Sequence, residues 1–123
     1  MSNNQGWIGV DLDGTLTIHK FMEVWDGSIG EPIPLMVARV KAWLDRGIRV
    51  KIVTARVAYY FDDDARNVET QRELVRLWLI KHIGQVLEVT AEKDFGMIEL
   101  WDDRAIRVIT NTGERCCKGV RIV

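Results

Sequence analysis

A chain of 123 residues can bury one hydrophobic core but not two independent ones, so residues 1–123 are read as a single domain. Its 47 % hydrophobic and 28 % charged residues lie in the globular range, and a formal net charge of -1 exerts no general pull toward nucleic acid or anionic lipid. No apolar run approaches a membrane-spanning length, and the polar start Met1-Ser2-Asn3-Asn4-Gln5 lacks the layout of a signal peptide, so the expected location is the cytoplasm, with no membrane partner.

Trp7-Ile8-Gly9-Val10 is a short apolar run ending in Asp11-Leu12-Asp13-Gly14, the pattern of a buried strand entering a polar turn. A Gly- and turn-rich stretch from Thr15 to Pro34 follows. Met36, Val37, Val40, Trp43 and Leu44 then recur at helical spacing, with Gly47 as the stop. Ile48–Val53 reads as a second strand ending at Thr54-Ala55-Arg56, and Asn67–His82 as a longer helix ending near Gly84. Val86–Val89 and Ile98–Trp101 read as third and fourth strands, Ile106–Ile109 as a short fifth, and Val120–Val123 as an edge strand. Strands alternating with helices predict an α/β fold with a mainly parallel sheet. Asp62-Asp63-Asp64, just before the long helix, reads as a solvated turn whose charge complements the helix N-terminus. Cys116 and Cys117 are adjacent and have no CxxC or Cys/His cluster around them, which argues for reduced thiols and against zinc.

In a parallel sheet, ligands bind at the carboxyl ends of the strands. That rim should collect Asp11 and Asp13 from the first strand, Thr54 from the second, and Asp102 with Asp103 from the fourth, with Lys93 following the third. Crowded carboxylates repel one another and call for a cation, and oxygen-only donors point to Mg²⁺ rather than zinc. A carboxylate beside such an ion could attack phosphorus, while Thr54 and Lys93 bind the remaining phosphate charge. The DxDG segment alone could belong to a calcium loop, but Thr15–Val24 lacks the further oxygen ligands in register. A response-regulator receiver domain has similar parts in a different order.

Asp11-Leu12-Asp13-Gly14-Thr15-Leu16 resembles the first signature of the haloacid dehalogenase superfamily. Thr54 matches its second, Lys93 its third, and Asp102-Asp103 its acidic fourth, in the family's order along most of the chain. The resemblance implies a three-layer Rossmann-like core, bound Mg²⁺ and an aspartyl-phosphate intermediate. By position, Asp11 would be the nucleophile and a metal ligand. Asp13 would be the acid/base and bind metal through its carbonyl, and Thr54 and Lys93 would orient the phosphoryl group. In the deoxyribonucleotidase-like pattern the second acidic residue is the ligand, which gives Asp103 the metal and Asp102 a supporting place. Lys81, at a helix end, competes with Lys93 for the lysine role. Ala55 and Arg56 would line the substrate, with a structural ion pair the other reading for Arg56. His19, Phe21, Glu23 and Trp25 fall where the family's flap occurs.

Neither Gly14–Pro34 nor Ala55–Glu92 has space for a cap domain, which usually needs on the order of 50 residues. The resemblance is therefore to small, capless bacterial or phage phosphatases and, more loosely, to deoxyribonucleotidases. An open site suits a small phosphorylated substrate enclosed by a neighbouring subunit of a homo-oligomer, or phosphate at the end of a macromolecule. The expected activity is hydrolysis of a nucleotide or sugar phosphate. The alternatives are a polynucleotide 3′-phosphatase, with nucleic acid as partner, and a phosphate-binding regulatory module.

Overall fold

The computed structural model describes residues 6–19, 26–58 and 67–116. They form an α/β arrangement of four strands, β1 (Trp7–Asp11), β2 (Arg49–Val53), β3 (Glu88–Thr90) and β4 (Met97–Trp101), and two α-helices, α1 (Pro34–Asp45) and α2 (Val68–His82). Every strand pair is parallel, and the sheet order is β3-β2-β1-β4. β1 lies inside the sheet, which is why its sequence is a nearly continuous apolar run.

Both helices follow their predicted ranges closely. Pro34 opens α1, where its missing N–H costs nothing, and the turn after Asp45 closes with Gly47 at φ 78°. Asn67 caps α2 by accepting from the N–H groups of Glu69 (2.9 Å) and Thr70 (3.3 Å). Ile8 and Val10 of β1, partnered by Val50 and Ile52 of β2, share one core with Met36 and Val40 of α1 and with Val75, Trp78 and Leu79 of α2. The connections β1 to β2 and β2 to β3 step in the same direction across the sheet, and both helices pack on this face.

The other face is organised differently. Residues 91–96 run from the carboxyl end of β3 to the start of β4, and this short segment lies over Trp7 and Lys51. Asp94 accepts from Trp7 Nε1 at 2.9 Å, Trp7 N–H donates to the Gly96 carbonyl at 2.8 Å, and Lys51 Nζ lies 4.3 Å from the Trp7 ring centroid. Lys51 also stands 3.6 Å from Asp94 and 3.5 Å from Glu88, so its buried stem carries a charge paired on both sides.

The predicted third strand is found slightly later, at Glu88–Thr90, with Leu87 buried in the core. The predicted fifth strand, Ile106–Ile109, does not join the sheet. Val108 instead makes a single antiparallel bridge to Arg115, around a turn in which Asn111 and Gly113 take positive φ. Ile106, Val108 and Ile109 are exposed, so their β-rich composition lacked the sheet contacts that would have fixed a strand. Met1–Gln5, Phe21, Glu23, Trp25, the turn predicted at Asp62–Asp64, Cys117 and the strand predicted at Val120–Val123 lie outside the described residues. Among the described residues no helix is long and apolar enough to cross a membrane.

The fully buried Leu79 joins α2 to the sheet, so Leu79→Ala should cost about 2–5 kcal/mol, whereas loss of the cap in Asn67→Ala should cost about 1 kcal/mol. Urea denaturation of the two variants checks this ranking.

Candidate active site

The site grows from the way β1 ends. After Asp11 the chain turns sharply: the Leu12 carbonyl accepts from the N–H groups of Leu16 (3.0 Å) and Thr17 (2.9 Å), and the side chains of Leu12 and Leu16 are fully buried beneath. Apolar residues thus anchor a turn whose polar members face the rim. Gly14 adopts φ 94°, and a Cβ there would come within 2.5 Å of Asp103 Oδ2. Only glycine permits both the backbone and the approach of the Asp103 carboxylate.

β4 runs beside β1 in parallel, Val10 opposite Trp101, so the residues after β4 arrive beside Asp11. Carboxylate oxygens of Asp11, Asp102 and Asp103 lie within 4.8 Å of one another. The Thr15 hydroxyl stands 3.3 Å from both Asp11 Oδ2 and Asp103 Oδ1, and Asp103 N–H donates to it at 3.0 Å. Asp102 Oδ1 accepts from Arg104 N–H at 2.7 Å. The deoxyribonucleotidase-like pattern gives Asp103 the metal and Asp102 a supporting place; β4 ends at Trp101, so strand alternation does not separate the pair, and both carboxylates reach the cluster.

Burial pushes the Asp11 carboxyl up to about 7, helped by its hydrogen bond to Asp103 and by the negative charges of Asp102 and Asp103, while the Thr15 hydroxyl opposes the shift. A cation would offset the burial of the charge and relieve the repulsion from Asp102 and Asp103. The donor set fits one: oxygen-bound Mg²⁺ makes bonds of about 2.0–2.1 Å, so oxygens on opposite sides are about 4 Å apart, close to the spread found here.

Asp13 is not in that group. Its two carboxylate oxygens accept from Arg56 Nε at 2.7 Å and Nη2 at 2.8 Å, a bidentate ion pair. Thr54 is buried at the end of β2, its N–H bonded to the Thr90 carbonyl at 2.8 Å and its hydroxyl oxygen accepting from Arg56 N–H at 3.1 Å. Ala55 begins the single 3₁₀ turn that carries Arg56. Lys93 is exposed beside Asp94, whose partner Trp7 is at the opposite end of β1 from Asp11; it makes no hydrogen bond or ion pair with Asp11, Thr54 or Asp103. Lys81 is exposed in the last turn of α2.

The structure thus gathers Asp11, Asp102 and Asp103, holds Asp13 and Thr54 against Arg56, and leaves Lys93 on the second face. Two residues to which the sequence reading gave no role, one of them inside the first motif, also take part. Thr15 bridges two of the carboxylates, and Gln71 of α2 accepts from Arg56 Nη1 at 2.8 Å. Gln71 had a signal: it occupies the apolar stripe of α2, between Val68 and Val75, where a polar side chain needs a buried partner.

The segment after the turn folds back, with Ile18 N–H on the Glu31 carbonyl (2.8 Å) and Ile33 N–H on the Leu16 carbonyl (2.8 Å). A Cβ at Gly30 would collide with the Ile18 carbonyl oxygen, and Trp78 Nε1 donates to the Gly30 carbonyl at 3.0 Å. His19 belongs to this hairpin-like segment. Beside the cluster, sharing Asp102 with it, an open groove of about 740 Å³ along β4 is lined by Ile98, Leu100, Trp101 and Arg107 among others. Comparison of the chain with protein-family models, with curated proteins and with solved structures finds no match.

A carboxyl raised from 3.8 to about 7 favours folding fully below pH 3.8, and that contribution is lost as pH rises through 7. In metal-free buffer the melting temperature of the wild type relative to Asp11→Asn should therefore fall as pH climbs from about 4 to 8. Added Mg²⁺ at pH 8 should raise the melting temperature of the wild type more than that of Asp11→Asn.

Proposed function

We propose that this chain is a Mg²⁺-dependent phosphomonoester hydrolase of the haloacid dehalogenase type, working through an aspartyl-phosphate on Asp11. The observation that carries this reading is the division of labour at one rim: Asp11 grouped with Asp102 and Asp103, and Asp13, two residues on, held elsewhere by Arg56. In this reading the parallel sheet is the centre of a capless, three-layer Rossmann-like core, with residues 91–96 standing where the third layer would lie.

Asp11, Asp102 and Asp103 would hold the Mg²⁺, with the Asp13 carbonyl as a further ligand. The ion would neutralise the phosphate and lower the carboxyl of Asp11 into its ionised, nucleophilic form. An Asp11 oxygen attacks phosphorus as the bond to the leaving oxygen breaks. Asp13 gives that oxygen a proton, then takes one from the water that attacks the aspartyl-phosphate, which releases phosphate and restores Asp11. The Thr54 hydroxyl, which accepts from Arg56 N–H, would bind a phosphoryl oxygen through its proton in this reading. The substrate is a small phosphomonoester of nucleotide or sugar type, for which a site without a cap is open.

A panel of nucleoside monophosphates, sugar phosphates, p-nitrophenyl phosphate and a 3′-phosphorylated oligonucleotide, run with Mg²⁺ and with EDTA, tests the reading. Turnover should require the metal and fall by at least about 10³-fold in Asp11→Asn, because an amide cannot attack phosphorus. Full activity of a clean Asp11→Asn preparation would remove Asp11 as nucleophile, and turnover of the oligonucleotide alone would shift the substrate to polynucleotide ends.

A further inference from the structure

We propose that Arg56 is a positioning residue for Asp13, holding its carboxylate in a fixed direction apart from the Asp11, Asp102 and Asp103 cluster, rather than a ligand of the substrate phosphate. The inference rests on the hydrolase reading above and assigns a role within it.

A guanidinium has five N–H donors in one plane. In Arg56, Nε and Nη2 take the two oxygens of Asp13, Nη2 also donates to the Ser28 carbonyl at 2.9 Å, and Nη1 donates to the Gly27 carbonyl and Gln71 Oε1, both at 2.8 Å. These five contacts leave no N–H for a phosphate unless one of them breaks. The Arg56 side chain is only 5 % exposed, and stripping a buried cation of such partners is strongly unfavourable. Three acceptors on other elements, two flap carbonyls and one α2 side chain, fix the plane of the guanidinium. The fork facing Asp13 is therefore aimed by its surroundings.

The aim matters because of the spacing in the chain. Asp11 and Asp13 are two residues apart, close enough that Asp13 could turn toward the same cation as Asp11. The fork removes that option. It directs the Asp13 carboxylate toward Arg56 and the segment carrying Gly27 and Ser28, and the cluster is completed by Asp102 and Asp103 instead. Lysine would keep the charge but not the direction, since an ammonium cannot grip both oxygens of a carboxylate in one plane.

The test compares wild type, Arg56→Lys, Arg56→Gln, Asp13→Asn and the Arg56→Gln/Asp13→Asn double variant on β-glycerophosphate with Mg²⁺, each checked for a cooperative melt. Arg56→Lys and Arg56→Gln should each lower kcat by about 10²-fold or more, with KM and inhibition by inorganic phosphate unchanged. The double variant should be no slower than Asp13→Asn, because the two residues act as one unit. Multiplicative losses in the double variant overturn the proposal, as does weakened phosphate inhibition with kcat intact. A second measurement is independent of turnover and of variants at Arg56: the proton resonance of Arg56 Nε–H in the metal-free protein. Its displacement in Asp13→Asn supports the fork, and an unchanged signal overturns it. Absence of turnover on every phosphomonoester, with the resonance still displaced, defeats the hydrolase reading and not the fork.

Discussion

Carboxylates of like charge, partly withdrawn from water, cannot be assembled without a counter-charge, and the local structure around the rim answers that constraint. Asp11 and Asp102 are partly buried and Asp103 is exposed, yet all three offer oxygens to one small volume. The parallel pairing of β1 with β4 makes the assembly unavoidable: once Val10 lies opposite Trp101, the next residues of both strands must emerge side by side. Gly14 then allows Asp103 to come closer than any side-chain-bearing residue would permit. What remains is the burial of Asp11 together with the negative charge beside it, expressed in its raised pKa. A bound cation would offset the cost of desolvation, screen the repulsion and take the place of the shared proton.

The fourth carboxylate obeys the same constraint by a different route. Asp13 receives its counter-charge from Arg56, a permanent cation, and so it needs no metal. Two aspartates separated by one residue thus sit in opposite electrostatic settings. Groups whose environments differ in this way can take different parts in a reaction, and the proposed nucleophile and acid/base differ in this respect.

Much of this was legible in the sequence. Abrupt transitions from apolar run to Asp or Thr marked the strand ends, and the 3.6-residue stripe with Asn67 and Gly47 marked the helices, because local propensity and tertiary packing agree there. For Arg56 the sequence left a structural ion pair open beside a substrate contact, and the ion pair with Asp13 is what forms, but its partners were not legible. They come from residues 27–28, a helix and a turn far apart in the chain, and nothing in Thr54-Ala55-Arg56 states that five acceptors will converge. The path of residues 91–96 was equally hidden. A lysine near the end of β3 looks placed for the rim, but the chain must descend to the start of β4, and Asp94 is drawn to Trp7 and Lys51. Ile106–Ile109 failed for the reverse reason: strong strand propensity with no sheet partner to satisfy it.

The convergence on Arg56 also joins parts of the fold that sequence order keeps separate. Gly27 and Ser28 supply two of its acceptors through backbone carbonyls, which cannot move without moving the chain. Gln71 supplies a third from α2, while Trp78, two turns along the same helix, holds the Gly30 carbonyl. The segment over the rim is therefore tied to α2 at two points, and one of them is the group that orients Asp13. Any displacement of residues 27–28 large enough to widen the site strips hydrogen bonds from a buried guanidinium, at a cost that burial makes high. The direction of the Asp13 carboxylate and the position of the flap thus depend on the same few bonds, so neither can change without loading the other.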